Sequence, residues 1–221
     1  MKHTRIKAVI FDMDGIIVDS EPIQSLSWER FFIERGIKPI YLKNGLLHEI
    51  GPTADNENTK ILERHGLKED ILSARKRRRE IFETLIKKRL TLMPGFYELA
   101  NRLKKEKIKM AVASSRLAEH IHIMLDIVRV KDLFETIVGP SPTLKRKPAP
   151  DIYLHAARQL GLKTEECLAL EDSETGVLSA YHAGIKVIAV PSTFTLHQDF
   201  SKADKIVTSL SDITIPLINT L

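Results

Sequence analysis

Short apolar runs rich in β-branched residues recur along the chain: IKAVIF (6–11), IKMAVA (108–113), TIVG (136–139), CLAL (167–170), IKVIAV (185–190) and KIVTSL (205–210). Most show no alternation with polar residues, which predicts strands buried on both faces, the signature of a parallel sheet. Between the runs the apolar spacing becomes helical: PGFYELANRLKKEK opens on proline, RLAEHIHIMLDI follows, and PDIYLHAARQLG and SETGVLSAYHAG each close on glycine. Strand alternating with helix predicts an α/β fold, a Rossmann-like doubly wound parallel sheet with helices on both faces.

One region breaks the alternation. From residue 15 to residue 93 only helical periodicity is visible, in PIQSLSWERFFIERG, NENTKILERHGL and KEDILSARKRRREIFETLIKKR. A small all-helical cap is therefore expected at 17–93, inserted after the first strand of a core formed by 1–16 and 94–221. Its two connections, near 15–21 and 93–95, are candidate hinges. Trp28, Phe31 and Phe32 fall at helical spacing and are expected to pack inside the cap. The tail after Leu210 gives no clear pattern.

Composition narrows the class. At 221 residues with 43% hydrophobic content the chain can bury a substantial core, and no apolar run approaches the roughly 20 residues of a membrane span. The N-terminal apolar stretch is too short for a signal peptide and ends in acids, so a cytoplasmic protein is expected. The single cysteine, Cys167, cannot form an internal disulfide and is read as a buried strand thiol. Net charge is +5, but its densest segment, RKRRR at 75–79, lies in a helical stretch whose successive residues point in different directions. That predicts a solvated helix face. No nucleic-acid partner is expected, since the basic residues are not interleaved with aromatics.

In open parallel sheets ligands bind at the carboxyl ends of the strands, where loops and helix N-termini converge. The residues just after the predicted strands are Asp12 and Asp14, then Ser114 and Ser115, then Glu171 and Asp172, with Lys147 in the loop after the third strand. Each alone is an ordinary helix cap or surface acid. Together they would place several carboxylates on one edge, which is costly without a cation. All-oxygen ligands favour Mg2+, commonly held by one or two carboxylates and substrate phosphate oxygens. A cation, an ammonium, a hydroxyl and backbone N–H groups are the parts that neutralise a phosphoryl group, and a D-x-D pair can supply nucleophile and acid/base.

Four motifs in order, DMDG (12–15), ASS (113–115), KPAPD (147–151) and EDS with a glycine at 176, resemble the haloacid dehalogenase-like superfamily, in the branch of beta-phosphoglucomutase and related sugar-phosphate phosphatases. The resemblance covers nearly the whole chain. It implies that Asp12 attacks phosphorus to form an aspartyl-phosphate while Asp14 serves as acid and then base. It implies Mg2+ held by the Asp12 side chain, the Asp14 backbone carbonyl and Asp172, with Glu171 direct or through water. Ser114 and Lys147 would bind phosphoryl oxygens, with Ser115 beside them. In the cap, Gly51 falls in the family's specificity loop, and Arg78 falls near a cationic position that contacts a second phosphate in the mutases, set against its place in a solvated basic run.

Where the mutases carry a histidine five residues past the aspartate matching Asp19, this chain has Gln24. The resemblance thus implies a phosphatase of a small phosphorylated metabolite, with a sugar phosphomutase as the alternative. A signalling receiver module also joins acids, a hydroxyl and a lysine around a phosphoryl group, but it is shorter, lacks the second acid of the D-x-D pair and carries no helical insert. A catalytically silent binding protein on the same scaffold would not need all four motifs.

Overall fold

A computed structural model of the chain describes residues 5–50 and 54–221. Contacts divide the chain into two compact units, Met1–Val18 with Leu92–Leu221, and Asp19–Thr91.

The first unit is built on six parallel strands, β1 (Ala8–Phe11), β2 (Lys109–Ala113), β3 (Thr136–Val138), β4 (Cys167–Glu171), β5 (Lys186–Ala189) and β6 (Lys205–Ile206), in the order β3-β2-β1-β4-β5-β6. Every residue of β1 is fully buried, with Phe11 opposite Val112 on one side and Leu170 on the other. Such burial on both faces explains why the run shows no polar alternation. β6 differs: both its residues are exposed, as an edge strand allows. Cys167 is buried at the start of β4, as read from the sequence.

Helices α4 (Phe96–Lys105), α5 (Ala118–Ile127), α6 (Asp151–Gln159) and α7 (Glu174–His182) connect the strands. The start of α7 is fixed locally, since the side chain of Ser173 accepts a hydrogen bond from the Gly176 N–H. The C-terminal tail, featureless in sequence, forms α8 (Ile215–Asn219), capped by Thr214 and carrying proline in its first turn, with Ile213 and Ile218 buried.

The order in which strands are added reverses at one point in this sheet. From β1 the path runs outward through β2 to β3, then crosses back to β4 and continues to β5 and β6. The crevice at the carboxyl ends of β1 and β4 is thus the topological switch point, where ligands of such sheets bind.

The second unit contains helices α1 (Glu21–Ile33), α2 (Ala54–Arg64) and α3 (Ile71–Arg89). Trp28, Phe31 and Phe32 are buried in it with ring centroids 5.3 to 5.8 Å apart, and α3 adds Ala74, Phe82, Leu85 and Ile86. The basic run is not one solvated face. Lys76, Arg77 and Arg79 are exposed, whereas Arg78 is half-buried with its guanidinium 5.4 Å from the Trp28 ring and 5.8 Å from Phe82. Cation–π attraction and its apolar stem account for that placement.

His65 ties this unit together. Its ring stacks on Phe32 at 3.7 Å, Nε2 accepts from Ile40 N–H at 2.9 Å, and Nδ1 lies 2.7 Å from Ile61 O. An Nε2 that accepts requires the neutral ring, and burial, helped by Arg64, depresses its pKa. A histidine depressed in the folded state contributes stability at higher pH that is lost as pH falls through its unfolded value of about 6.5. Replacing His65 by Phe keeps the stacking but leaves the Ile40 N–H without its acceptor. The expected cost is about 1 kcal/mol at pH 8. Denaturant unfolding should show that cost shrinking on acidification below pH ~6.5; a cost independent of pH would contradict the assignment.

Candidate active site

The switch point gathers residues far apart in the chain. Asp12 follows β1 directly, its N–H donating to Leu170 O at 2.9 Å, which locks it beside the end of β4. Glu171 is the last residue of β4, Asp172 follows it, and Lys147 arrives from the loop ahead of α6. The Lys147 ammonium donates to Asp12 Oδ1 and to Glu171 Oε1, each at 2.5 Å. All four side chains are buried, at 8% exposure for Asp12, 7% for Lys147, 0% for Glu171 and 3% for Asp172. One ligand oxygen from each of Asp12, Glu171 and Asp172 lies within 4.8 Å of the other two.

The charge balance of this cluster calls for a cation. One ammonium faces three buried carboxylates. Burial pushes the Asp12 carboxyl up to about 7, with Glu171 and Asp14 adding to the rise and Lys147 opposing it. Burial also acts to depress the Lys147 ammonium, but Asp12 and Glu171 outweigh it and hold the group protonated. Glu171 Oε2 is buried with no hydrogen-bond partner. An orphaned carboxylate oxygen inside an acidic, all-oxygen cluster fits a hard divalent cation.

Two glycines make room for the acids. Gly15 has φ +78°, and a Cβ there would run into the Asp172 carboxylate. A Cβ at Gly176, inside the first turns of α7, would overlap the carboxyl group of Glu171. The glycine of the EDS motif thus has a steric reason: the helix can pass Glu171 only without a side chain.

Ser114, buried at the end of β2, accepts from the Arg116 N–H at 3.1 Å. Ser115 is half-buried, its backbone carbonyl taken by Arg146 at 2.5 Å. The Asp14 side chain is absent from the three-carboxylate cluster. It is instead gripped by Arg116, whose Nε donates to Oδ1 at 3.0 Å and Oδ2 at 2.7 Å and whose Nη2 donates to Oδ1 at 2.8 Å. Gln24, in α1 of the helical unit, donates through Nε2 to Glu21 Oε1 at 3.0 Å. Arg78 packs on Trp28 as described, and Gly51 lies outside the described residues.

The sequence reading missed Arg116 and Tyr153. Arg116 lies two residues past Ser114, and asking which cation faces so many acids would have pointed to it. Tyr153 enters the sequence analysis only as part of a helical stretch, yet its hydroxyl donates to Glu171 Oε1 at 2.5 Å. Burial, and next the Glu171 carboxylate, push that hydroxyl well above the ordinary tyrosine range, so it remains a donor.

The chain belongs to the haloacid dehalogenase-like hydrolase family, whose model matches residues 9–190. It is 34% identical over 223 residues to the beta-phosphoglucomutase of Bacillus subtilis strain 168, covering 97% of this chain and 94% of that protein. It is 32% identical over 215 residues to the protein CbbY of Rhodobacter capsulatus, covering 93% and 94% of the two chains. The crystal structure of CbbY from Rhodobacter sphaeroides in complex with phosphate superposes with a TM-score of 0.83 at 25% identity, over 98% of this chain and all of that one. No helix among the described residues is long and apolar enough to cross a membrane.

Glycine to alanine in a helix ordinarily stabilises by roughly 0.5–1 kcal/mol. At Gly176 the sign should reverse. Thermal denaturation of Gly176→Ala is expected to show a lowered midpoint, because the methyl group must displace a buried carboxylate; an unchanged or raised midpoint would contradict the close approach.

Proposed function

We propose that the protein is a magnesium-dependent phosphatase of a small phosphorylated metabolite, with sugar phosphates the favoured class, working through an aspartyl-phosphate on Asp12. The observation that carries this reading is the buried Asp12–Lys147–Glu171–Asp172 cluster at the switch point of a family core. The relative named beta-phosphoglucomutase and the CbbY structure in complex with phosphate support the phosphoryl chemistry.

Asp12, Glu171 and Asp172 would hold the ion through side-chain oxygens, and Asp14 through its backbone carbonyl. When bound, Mg2+ neutralises charge on the phosphoryl oxygens and keeps the nucleophilic carboxylate ionised. Asp12 then attacks phosphorus, the ester P–O bond breaks, and Asp14 gives its proton to the departing oxygen. In the second half Asp14 takes a proton from water, the resulting oxygen attacks phosphorus, and the Asp12–phosphorus linkage is released as inorganic phosphate. Lys147 and Ser114 bind the phosphoryl oxygens. Arg116 fixes the direction of the Asp14 carboxyl by contacting both of its oxygens.

Hydrolysis is favoured over mutase transfer because Gln24 stands where the mutases carry histidine. An amide does not titrate, and this one is already engaged with Glu21. A mutase reading keeps the support of the 34% identical relative.

With phosphorylated metabolites and Mg2+, Asp12→Asn is expected to release phosphate only at background rate, while its melting midpoint without metal is no lower than that of the wild type, because a buried charge has been removed. Equal activity in the two proteins would reject Asp12 as nucleophile. Asp14→Asn should lose about 10²–10⁴-fold in turnover while still binding metal, as calorimetry would show; loss of the metal site would contradict a carbonyl ligand. Phosphorus NMR of a sugar 1-phosphate distinguishes the two reactions. Free phosphate is expected, and conversion to the 6-phosphate without it would establish a mutase.

A further inference from the structure

Glu171 is the most enclosed acid of the cluster, and its two oxygens have different surroundings. Oε1 accepts from the Lys147 ammonium and from the Tyr153 hydroxyl, each at 2.5 Å, whereas Oε2 has no partner although it is buried. We infer that Tyr153 is a positioning residue for metal binding: its hydroxyl commits Oε1 to the protein and thereby leaves Oε2 as the oxygen offered to a divalent cation or to its bound water. This rests on the metal-dependent reading given above and adds to it a group outside the acidic cluster.

The argument is one of rotational freedom. The terminal torsion of a glutamate is soft and nearly two-fold, so a carboxylate with a single donor can exchange its oxygens. Lys147 alone does not settle the choice, since its ammonium is shared with Asp12 and carries donors that can rotate. The tyrosine hydroxyl is different. It comes from a fully buried ring on α6 that packing holds in place, so its oxygen sits at one fixed position beside Oε1. The same ring lies 5.0 Å from the Lys147 ammonium and so helps hold the second donor. Glycine at 176 keeps the space of Oε2 clear, because a side chain there would overlap that oxygen before any other atom of the Glu171 carboxyl group. Groups of this kind, one bond removed from the ion, orient the ligands, and their loss typically weakens metal affinity by about 10–100-fold.

Tyr153→Phe is the sharp test, since it keeps the ring and its contact with Lys147 and removes only the donor. On the full-length protein stripped of metal, calorimetric titration with Mg2+ is expected to give a dissociation constant raised about tenfold. The Mg2+ concentration for half-maximal phosphate release should rise by the same factor, with kcat at saturating Mg2+ largely kept. Circular dichroism and melting in chelator check that the variant is folded. The decisive comparison uses a Glu171→Gln background, in which Tyr153→Phe should cost no further Mg2+ affinity. A dissociation constant unchanged from wild type, or an equal cost in both backgrounds, overturns the role of Tyr153 and leaves the phosphatase reading standing. Failure of the wild-type protein to bind Mg2+ at all overturns both.

Discussion

A single ammonium group held between two buried carboxylates organises the catalytic half of this protein. Lys147 contacts Asp12 and Glu171 from a loop 135 residues away from the first and 24 from the second. Carboxylates this deeply buried are tolerated only when paired, and removing the one cation that faces them typically costs about 3–5 kcal/mol. Many local features follow from that demand. Glycine stands at 15 and 176 because the carboxyl groups of Asp172 and Glu171 occupy the space a side chain would need. A tyrosine hydroxyl is buried in the core because Glu171 accepts from it.

The same arrangement separates two acids that lie only two residues apart in the chain. Asp12 faces the lysine and the other cluster acids, where burial lifts its carboxyl to about 7. Asp14 points to Arg116 and stays partly exposed. Residues two apart in a strand would share a face, so the separation arises because β1 ends at Phe11 and the chain turns at Gly15, which has positive φ. Distinct surroundings for two carboxylates are what a nucleophile and an acid/base require. In the helical unit polar groups serve packing, as Arg78 over Trp28 and His65 against Phe32 illustrate.

Much of this could be read along the chain. Six apolar runs became six parallel strands, and the helical insert became three helices around Trp28, Phe31 and Phe32. These features were legible because burial on both faces of a sheet, or on one stripe of a helix, leaves a mark at fixed spacing. The positions of the acids, Ser114 and Lys147 were legible as well, since the acids and the serine stand at or just past strand ends and Lys147 lies in the loop between β3 and α6. What escaped was what has no local mark. Arg116 and Tyr153 have unremarkable neighbours in sequence, and the tail around α8 lacked a long enough pattern to read. Arg78 was placed on a solvated face because a run of charges does not reveal that one member turns inward.

Local chemistry therefore settled which elements form and which residue types stand at the strand ends, because strand period, helix period and turn residues act over a few positions. Only the folded chain decided which oxygen meets which donor. Arg116 reaches Asp14 across 102 residues and Tyr153 reaches Glu171 across 18, contacts that arise from the order of strands in the sheet and the packing of α6 upon it. Hydrogen bonds and ion pairs depend on tenths of an ångström between segments that are distant in sequence, and no periodicity records such distances.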